Sequence, residues 1–332
     1  MKIIVPMAGR GSRLRPHTLT VPKPLIPIAG KPIVQRLVED IARVCGQKVT
    51  EIAFIIGDFG PEVEQDLLDI ARKLGSKGSI YHQEEALGTA HAILCAKESL
   101  GGSIVVAFAD TLFRAEFTLD VSKDGIIWVH KVDNPRGYGV IKMDQNEIIT
   151  DFHEKPNEFI SDLAIIGIYF FKDGLRLRRE LQYLIDNNIK EKGEFQLTNA
   201  LENMKINGAN FYPGKVIEWL DCGNPTAAIH ANKRVLEYKE NNEPRKDLIL
   251  ENSSIIEPCY IGSKVKISDS TIGPHVSIGN NCIINKSSIS NTIIQNNSLI
   301  TKADLEKSMI GSHVNYTGNS KQISIGDYSK IG

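Results

Sequence analysis

From residue 255 onward isoleucine or leucine recurs every five or six residues, at Ile255, Ile261, Ile267, Ile272, Ile278, Ile284, Ile289, Ile294, Ile300, Leu305 and Ile310. A helix repeats its apolar face about every 3.6 residues and a strand every second residue, so neither generates this spacing. A left-handed parallel β-helix does, because three short strands make one turn and one inward side chain from each stacks along the axis. Gly262, Gly273 and Gly279 beside the isoleucines, with Asn, Ser or Asp between them, supply the corners. The five-residue steps break an ideal six-residue repeat. The pattern therefore predicts a short or distorted coil over 248 to 315, followed by an irregular tail.

The chain before it has a different grammar. Short β-branched runs at 2–5, 51–56, 79–82 and 103–108 alternate with helical patterns at 33–44, 61–74 and 88–99. That alternation predicts a doubly wound α/β domain with a mostly parallel sheet. After Asp110, apolar runs at 125–131, 138–143, 147–153 and 163–171 are expected to extend the sheet and build a second lobe over its edge, with helices at 173–188 and 224–240. The charged run YKENNEPRKD, 238 to 247, then separates an expected domain 1–240 from a coil and tail at 248–332.

Composition narrows the function classes. With 42% hydrophobic and 24% charged residues the chain reads as an ordinary soluble protein, without the long apolar runs of a membrane span. Lysine plus arginine (39) nearly equals aspartate plus glutamate (40), which argues against a broad nucleic-acid-binding surface. The opening MKIIVPMAGRG is interrupted by Pro6, Gly9 and Arg10 before it reaches the length of a secretory signal, so a cytoplasmic protein is expected. The five cysteines, at 45, 95, 222, 259 and 282, are odd in number and form no C-x-x-C pair, which points to reduced structural thiols. Cys222 stands out because it lies between Asp221 and Gly223.

The chemistry concentrates in PMAGRGSRLRPHTLTVPKPLIPIAGKPI, residues 6 to 33, directly after the first predicted strand. Gly9 and Gly11 would let the backbone turn sharply and point N–H groups at an anion, while Arg10, Arg13, Arg15 and Lys23 surround it with positive charge. A triphosphate suits such a loop. No G-K-[ST] follows, so it is not a P-loop, and a third glycine is missing for G-x-G-x-x-G. The residues alone equally fit a surface loop with solvated arginines.

The run G-x-G-[ST]-R-L-x-P-x-T, P-K-P and G-K-P, across almost thirty residues, resembles the signature of the sugar-1-phosphate nucleotidylyltransferases, the sugar nucleotide pyrophosphorylases. Many glucose-1-phosphate thymidylyltransferases have a longer loop with an additional glycine, whereas this shorter form looks more like bacterial uridylyltransferases. The resemblance implies that Ala8, Gly9 and Gly11 line the nucleotide, and that Arg13 and Lys23 meet the triphosphate. Such a transfer depends on positioning and on neutralising charge as pyrophosphate departs. A planar guanidinium suits the leaving phosphates and a compact ammonium the α-phosphate.

Further fragments follow in the family's order. HQEEALGTAHAI carries Gln83, Gly88 and Thr89, which the resemblance assigns to the nucleobase. Asp110 ends the fourth predicted strand, with Ala109 where the family usually has glycine, and Asp221 lies in EWLDCGNP; the pair is implied to bind Mg²⁺. RGYGVIK, FHEKPNEF and GEFQLTNAL supply Tyr138, Gly139, Glu154, Lys155 and Glu194 for the sugar phosphate, with Asn199 replacing the usual aspartate. Each fragment alone also fits an ordinary turn or helix start.

The coil resembles hexapeptide-repeat domains, and the whole looks most like long-form glucose-1-phosphate thymidylyltransferases. The expected activity joins a nucleoside triphosphate, dTTP or UTP, to glucose 1-phosphate and releases pyrophosphate. The alternatives are GTP with mannose 1-phosphate, or a silent regulatory subunit that keeps the fold. His275 and His313 lie in an uneven repeat, so a structural, oligomerising or regulatory coil is expected over an acyltransferase. A homo-oligomer is expected, without nucleic-acid or membrane partners.

Overall fold

The structure is a computed structural model that describes residues 1–9, 11–116, 118–238, 245, 247–318 and 320–332. Arg10, the last two positions of the helix expected to 240, and most of the charged run at 238–247 lie outside the described residues. The chain divides into two compact units, Met1–Gly9 with Leu37–Trp219, and Arg10–Arg36 with Leu220–Gly332. This line differs from a simple cut near 240: most of the signature segment groups with the coil.

The first unit is built on a nine-stranded sheet. Lys77–His82, Glu51–Ile56, Lys2–Pro6 and Ile104–Ala107 lie side by side in that order and run parallel. Ile3, Ile4, Val5 and all of Ile52–Ile56 are fully buried, the continuous apolar run expected of strands covered on both faces. The helix Pro61–Lys73 has its proline in the first turn, Glu62 and Glu64 beside it, and Arg72 and Lys73 in the last turn, each where the helix dipole favours it. It buries Leu67, Ile70 and Ala71.

Beyond Ile104–Ala107 the sheet turns antiparallel. Leu163–Phe171 pairs with Ile104–Ala107 and with Gly125–Lys131, and Gly139–Met143 and Ile149–Glu154 complete that side. The later strands thus continue the sheet. Among the elements not expected are the helix Leu197–Ile206 and the strand Phe211–Lys215. The latter holds Pro213 and Gly214, which argue against a strand, and it is tolerated because it pairs only with Gly125–Lys131 and so forms an edge.

In the second unit three parallel sheets of six, four and five strands share a coil, each strand pairing with the third one after it until the last turn, where Met309–Ile310 and Asn315–Thr317 pair with the second one after them. Successive turns take 17, 17, 16, 16 and 15 residues, from Ile249 to Lys266, Ile283, Leu299, Asn315 and Lys330. The isoleucines at 267, 272, 278, 284, 289, 294, 300 and 310 are 1% exposed or less, so they fill the axis. Pairing continues to Lys330–Ile331, well past the predicted limit of 315. Tyr316, 2% exposed, takes the inward place of an isoleucine and hides the repeat from a search for aliphatics.

Corners are made by residues with positive φ, among them Asn281, Asn291 and Asn297, but also Lys264, Lys286, Lys302, His275 and His313. His313 stacks on Tyr328 at 4.8 Å, a corner role. A serine ladder links the turns: Ser253, Ser270 and Ser287 accept from the backbone N–H of Ser270, Ser287 and Ala303 at 2.9, 3.0 and 3.1 Å. Among the described residues no helix is long and apolar enough to cross a membrane.

Candidate active site

The carboxyl ends of four parallel strands, Pro6, Ile56, His82 and Ala107, open onto the edge where sheets of this kind receive ligands. Ala8 and Gly9 follow the first strand, Gln83 the third and Asp110 the fourth. Gly9 is exposed with open space around its α-carbon and without a positive φ, so the sharp turn expected of both glycines belongs to Gly11 alone.

In the second unit, Gly11 has φ 63, and a Cβ there would lie 2.7 Å from the Cβ of Lys23. Its carbonyl accepts the Thr18 hydroxyl at 2.8 Å. Lys23 is 7% exposed and opens the short turn Lys23–Leu25, with its stem against Gly11. Arg13 is exposed on the turn Ser12–Leu14, whose Leu14 is fully buried. A Cβ on Gly223 would meet Asp221 Oδ1 at 2.9 Å and Arg13 Nη2 at 3.3 Å. The expected phosphate cation and the expected metal carboxylate therefore flank one glycine. Cys222, between Asp221 and Gly223 in the chain, is fully buried.

The base-side fragment and GEFQLTN prove to be one structure. Leu87 accepts from Phe195 N and Phe195 from Ala90 N, both at 2.9 Å. Thr89 Oγ1 accepts from Leu197 N at 2.9 Å and donates to Gln196 Oε1 at 3.3 Å. Gly88 has φ 117, and a Cβ there would come within 2.5 Å of Phe195 O. Gly88 and Thr89, expected to touch a base, are in this state spent on joining two segments. Gln83 Nε2 donates to Gly88 O at 3.4 Å and lies 3.1 Å from His91 Nδ1, so both contacts engage the amide nitrogen.

On the sugar side, Gly139 and Glu154 are antiparallel partners, and a Cβ on Gly139 would meet Glu154 Oε2 at 3.2 Å. Lys155 has φ 43, its N–H bonds Tyr138 O at 3.1 Å, and its ammonium lies 3.2 Å from Glu154 Oε1. Tyr138 packs edge-on against Trp219 at 4.8 Å. Lys192, which sequence reasoning passed over, donates to the carbonyls of Glu154 and Lys155 at 3.1 and 2.9 Å and so clamps the turn between them. A residue that acts through backbone carbonyls leaves no motif to read. The cavity here, about 330 Å³, is lined by His153, Glu154, Lys155, Lys192, Thr198 and Asn199 among others. His153 Nε2, Thr198 Oγ1 and Asn199 Oδ1 are buried without a partner. Burial, and then the Glu154 carboxylate, push the Tyr169 phenol well above its ordinary range. Glu194 is exposed; its backbone forms a small bridge with Glu191, and its carboxylate accepts from Gln196 Nε2 at 3.2 Å.

The parallel strands with their open carboxyl ends define a doubly wound α/β protein. A model of the nucleotidyl transferase family matches residues 2–238, and the chain belongs to that family. It is similar to a glucose-1-phosphate thymidylyltransferase of Streptomyces antibioticus, with 33% identity over 100% of this chain and 99% of the relative. It is also similar to the low-salt glycan biosynthesis nucleotidyltransferase Agl11 of Haloferax volcanii, 32% identical over 72% of this chain and 67% of the relative. Among solved structures, a UDP-glucose pyrophosphorylase complexed with UDP-glucose aligns with a TM-score of 0.59 and 25% identity, over 72% of this chain and 99% of that one.

Proposed function

We propose that the chain transfers a nucleoside monophosphate from dTTP or UTP to glucose 1-phosphate, in the cytoplasm and as a homo-oligomer. The coarser reaction, nucleotidyl transfer from a nucleoside triphosphate to a sugar 1-phosphate with release of pyrophosphate, is the activity of the enzyme. The observation that carries the site reading is the convergence of Arg13 and Asp221 on Gly223, which joins a phosphate-binding cation to a carboxylate. The sugar-1-phosphate oxygen attacks the α-phosphorus in line, with no covalent enzyme intermediate.

Arg13 and Lys23 hold the triphosphate and balance the charge that grows on the departing pyrophosphate. Lys155 holds the phosphate of the sugar, and Tyr138, Gly139, Glu154 and Glu194 surround its hydroxyls. Gln83 reads the base edge beside Ala8 and Gly9, while Gly88 and Thr89, expected at the base, hold that turn against Phe195 and Leu197. Asp110 and Asp221 offer hard carboxylate oxygens, a donor set that fits Mg²⁺, an ion that takes one or two carboxylates together with substrate phosphates. When bound, the ion neutralises phosphate charge.

The test is pyrophosphate release from a matrix of dTTP, UTP, GTP, ATP and CTP against glucose 1-phosphate and mannose 1-phosphate, with Mg²⁺ or EDTA. Mg²⁺-dependent release from dTTP or UTP with glucose 1-phosphate is expected. Release only from GTP with mannose 1-phosphate would replace the substrate assignment, and a folded chain silent throughout would replace the catalytic one. Arg13→Ala should raise KM for the triphosphate at least tenfold, roughly the loss of a charge-assisted contact.

A further inference from the structure

The signature segment does not stand alone in its unit. Thr20 Oγ1 donates to Asp327 Oδ2, and His17 Nε2 meets Ser324 Oγ at 3.0 Å. Between these two coil residues lies Gly326, where a Cβ would come within 2.9 Å of Pro16 Cβ. Three consecutive features of the last turn therefore meet Pro16, His17 and Thr20, and these flank the turn that carries Arg13.

The identity of Asp327 is informative. Along the coil, Asn280 and Asn296 each use a side-chain oxygen to accept a backbone N–H from the preceding turn, from Ser263 and Asn280, both at 2.8 Å. Asp327 does the same for Ser312 N at 2.7 Å. An asparagine would complete this ladder equally well, but its second atom would be an N–H₂ group. The aspartate has a second oxygen instead, and it accepts the Thr20 hydroxyl. His17 is fully buried with no partner on Nδ1. A neutral ring that donates Nε2–H to Ser324 leaves only an acceptor unmet, the cheaper of the two tautomers.

We propose that the last turn of the coil, through Ser324, Gly326 and Asp327, positions the triphosphate loop, so that the C-terminal coil serves nucleotide binding directly. This rests on the reading that Arg13 and Lys23 meet the triphosphate. Ser324, Gly326, Asp327, His17 and Thr20 are positioning residues: they act through Arg13 and touch no substrate.

The experiment is steady-state kinetics of the full chain with the substrate pair found active in the matrix. Gly326→Val wedges Pro16 outward, Thr20→Val removes the bond to Asp327, and Thr20→Ser retains it. Gly326→Val and Thr20→Val should raise KM for the triphosphate about tenfold, the scale of a displacement below 1 Å at a catalytic group. KM for the sugar phosphate should change less than about twofold, because only one substrate meets this loop. Thr20→Ser should restore the wild-type values, and Asp304→Ala, on the exposed face of the coil, should leave them unchanged. Equal rises in both KM values, or wild-type kinetics from folded Gly326→Val and Thr20→Val, would overturn the proposal. If Gly326→Val fails to fold, the Thr20 pair decides. Should Arg13→Ala itself leave the triphosphate KM unaltered, the underlying site reading fails instead.

Discussion

His17 gives the sharpest quantitative prediction. Its ring is 0% exposed, and burial lowers its pKa from 6.5 to about 4, with the Asp327 carboxylate acting weakly in the opposite direction. Between those values the unfolded chain binds more protons at this position than the folded one, so stability rises with pH across the window and is lost as pH falls toward 4. Taking the two pKa values through the linkage relation, acidification from about pH 7 to about pH 4.5 removes about 2–3 kcal/mol through this one ring. Other groups titrate over the same range, so the comparison is a double difference against His17→Gln, which stays neutral and can still donate to Ser324. Urea unfolding of both proteins at both pH values should show the wild type losing about 2–3 kcal/mol more, a midpoint difference of about 1 M for a slope near 3 kcal/mol/M. If the variant loses as much stability as the wild type, the buried ring is not what excludes the proton.

Three other outcomes follow from single contacts. Asn232, fully buried, accepts from Ala29 N at 2.9 Å and from Ser277 Oγ at 2.6 Å, so Asn232→Ala strands two donors and should cost about 2–4 kcal/mol in urea unfolding. Gly88→Ala combines φ 117 with a 2.5 Å approach to Phe195 O and should destabilise the chain by about 2–3 kcal/mol, measured as a fall in unfolding midpoint, with loss of turnover. Lys192→Ala frees the turn at Glu154 and Lys155 and should raise KM for the sugar phosphate about fivefold while sparing that for the triphosphate, measured by pyrophosphate release.

Much of the architecture was legible because periodic burial leaves a periodic sequence. The isoleucines from 261 to 310 announced the coil, and the β-branched runs near 3, 53 and 105 announced the parallel strands. What stayed hidden was set by partners distant in the chain. Pro213 disguised an edge strand, Tyr316 disguised an inward coil position, and lysines at 264, 286 and 302 took corners usually given to asparagine. The approach of Arg13 and Asp221 to Gly223, and the bond from Leu197 N to Thr89, depend on chain crossings that no local spacing encodes; family resemblance named Arg13, Asp221 and Thr89, and the fold explains what lies beside them.

The five-stranded coil sheet begins at Cys259–Ile261 and ends at Ser324–Ile325. The signature segment touches both ends: Gly30 lies against the Tyr260 ring, where a Cβ would come within 2.1 Å, and His17 reaches Ser324. Strands in such a sheet are spaced about 4.8 Å apart, so the segment works as a caliper across roughly 19 Å of coil. Repeat proteins usually tolerate gain or loss of a unit, since each turn knows only its neighbours. Here a turn added or deleted would pull one jaw of the caliper about 4.8 Å out of register. The number of turns is thereby fixed by a stretch of chain more than two hundred residues upstream of the coil's end.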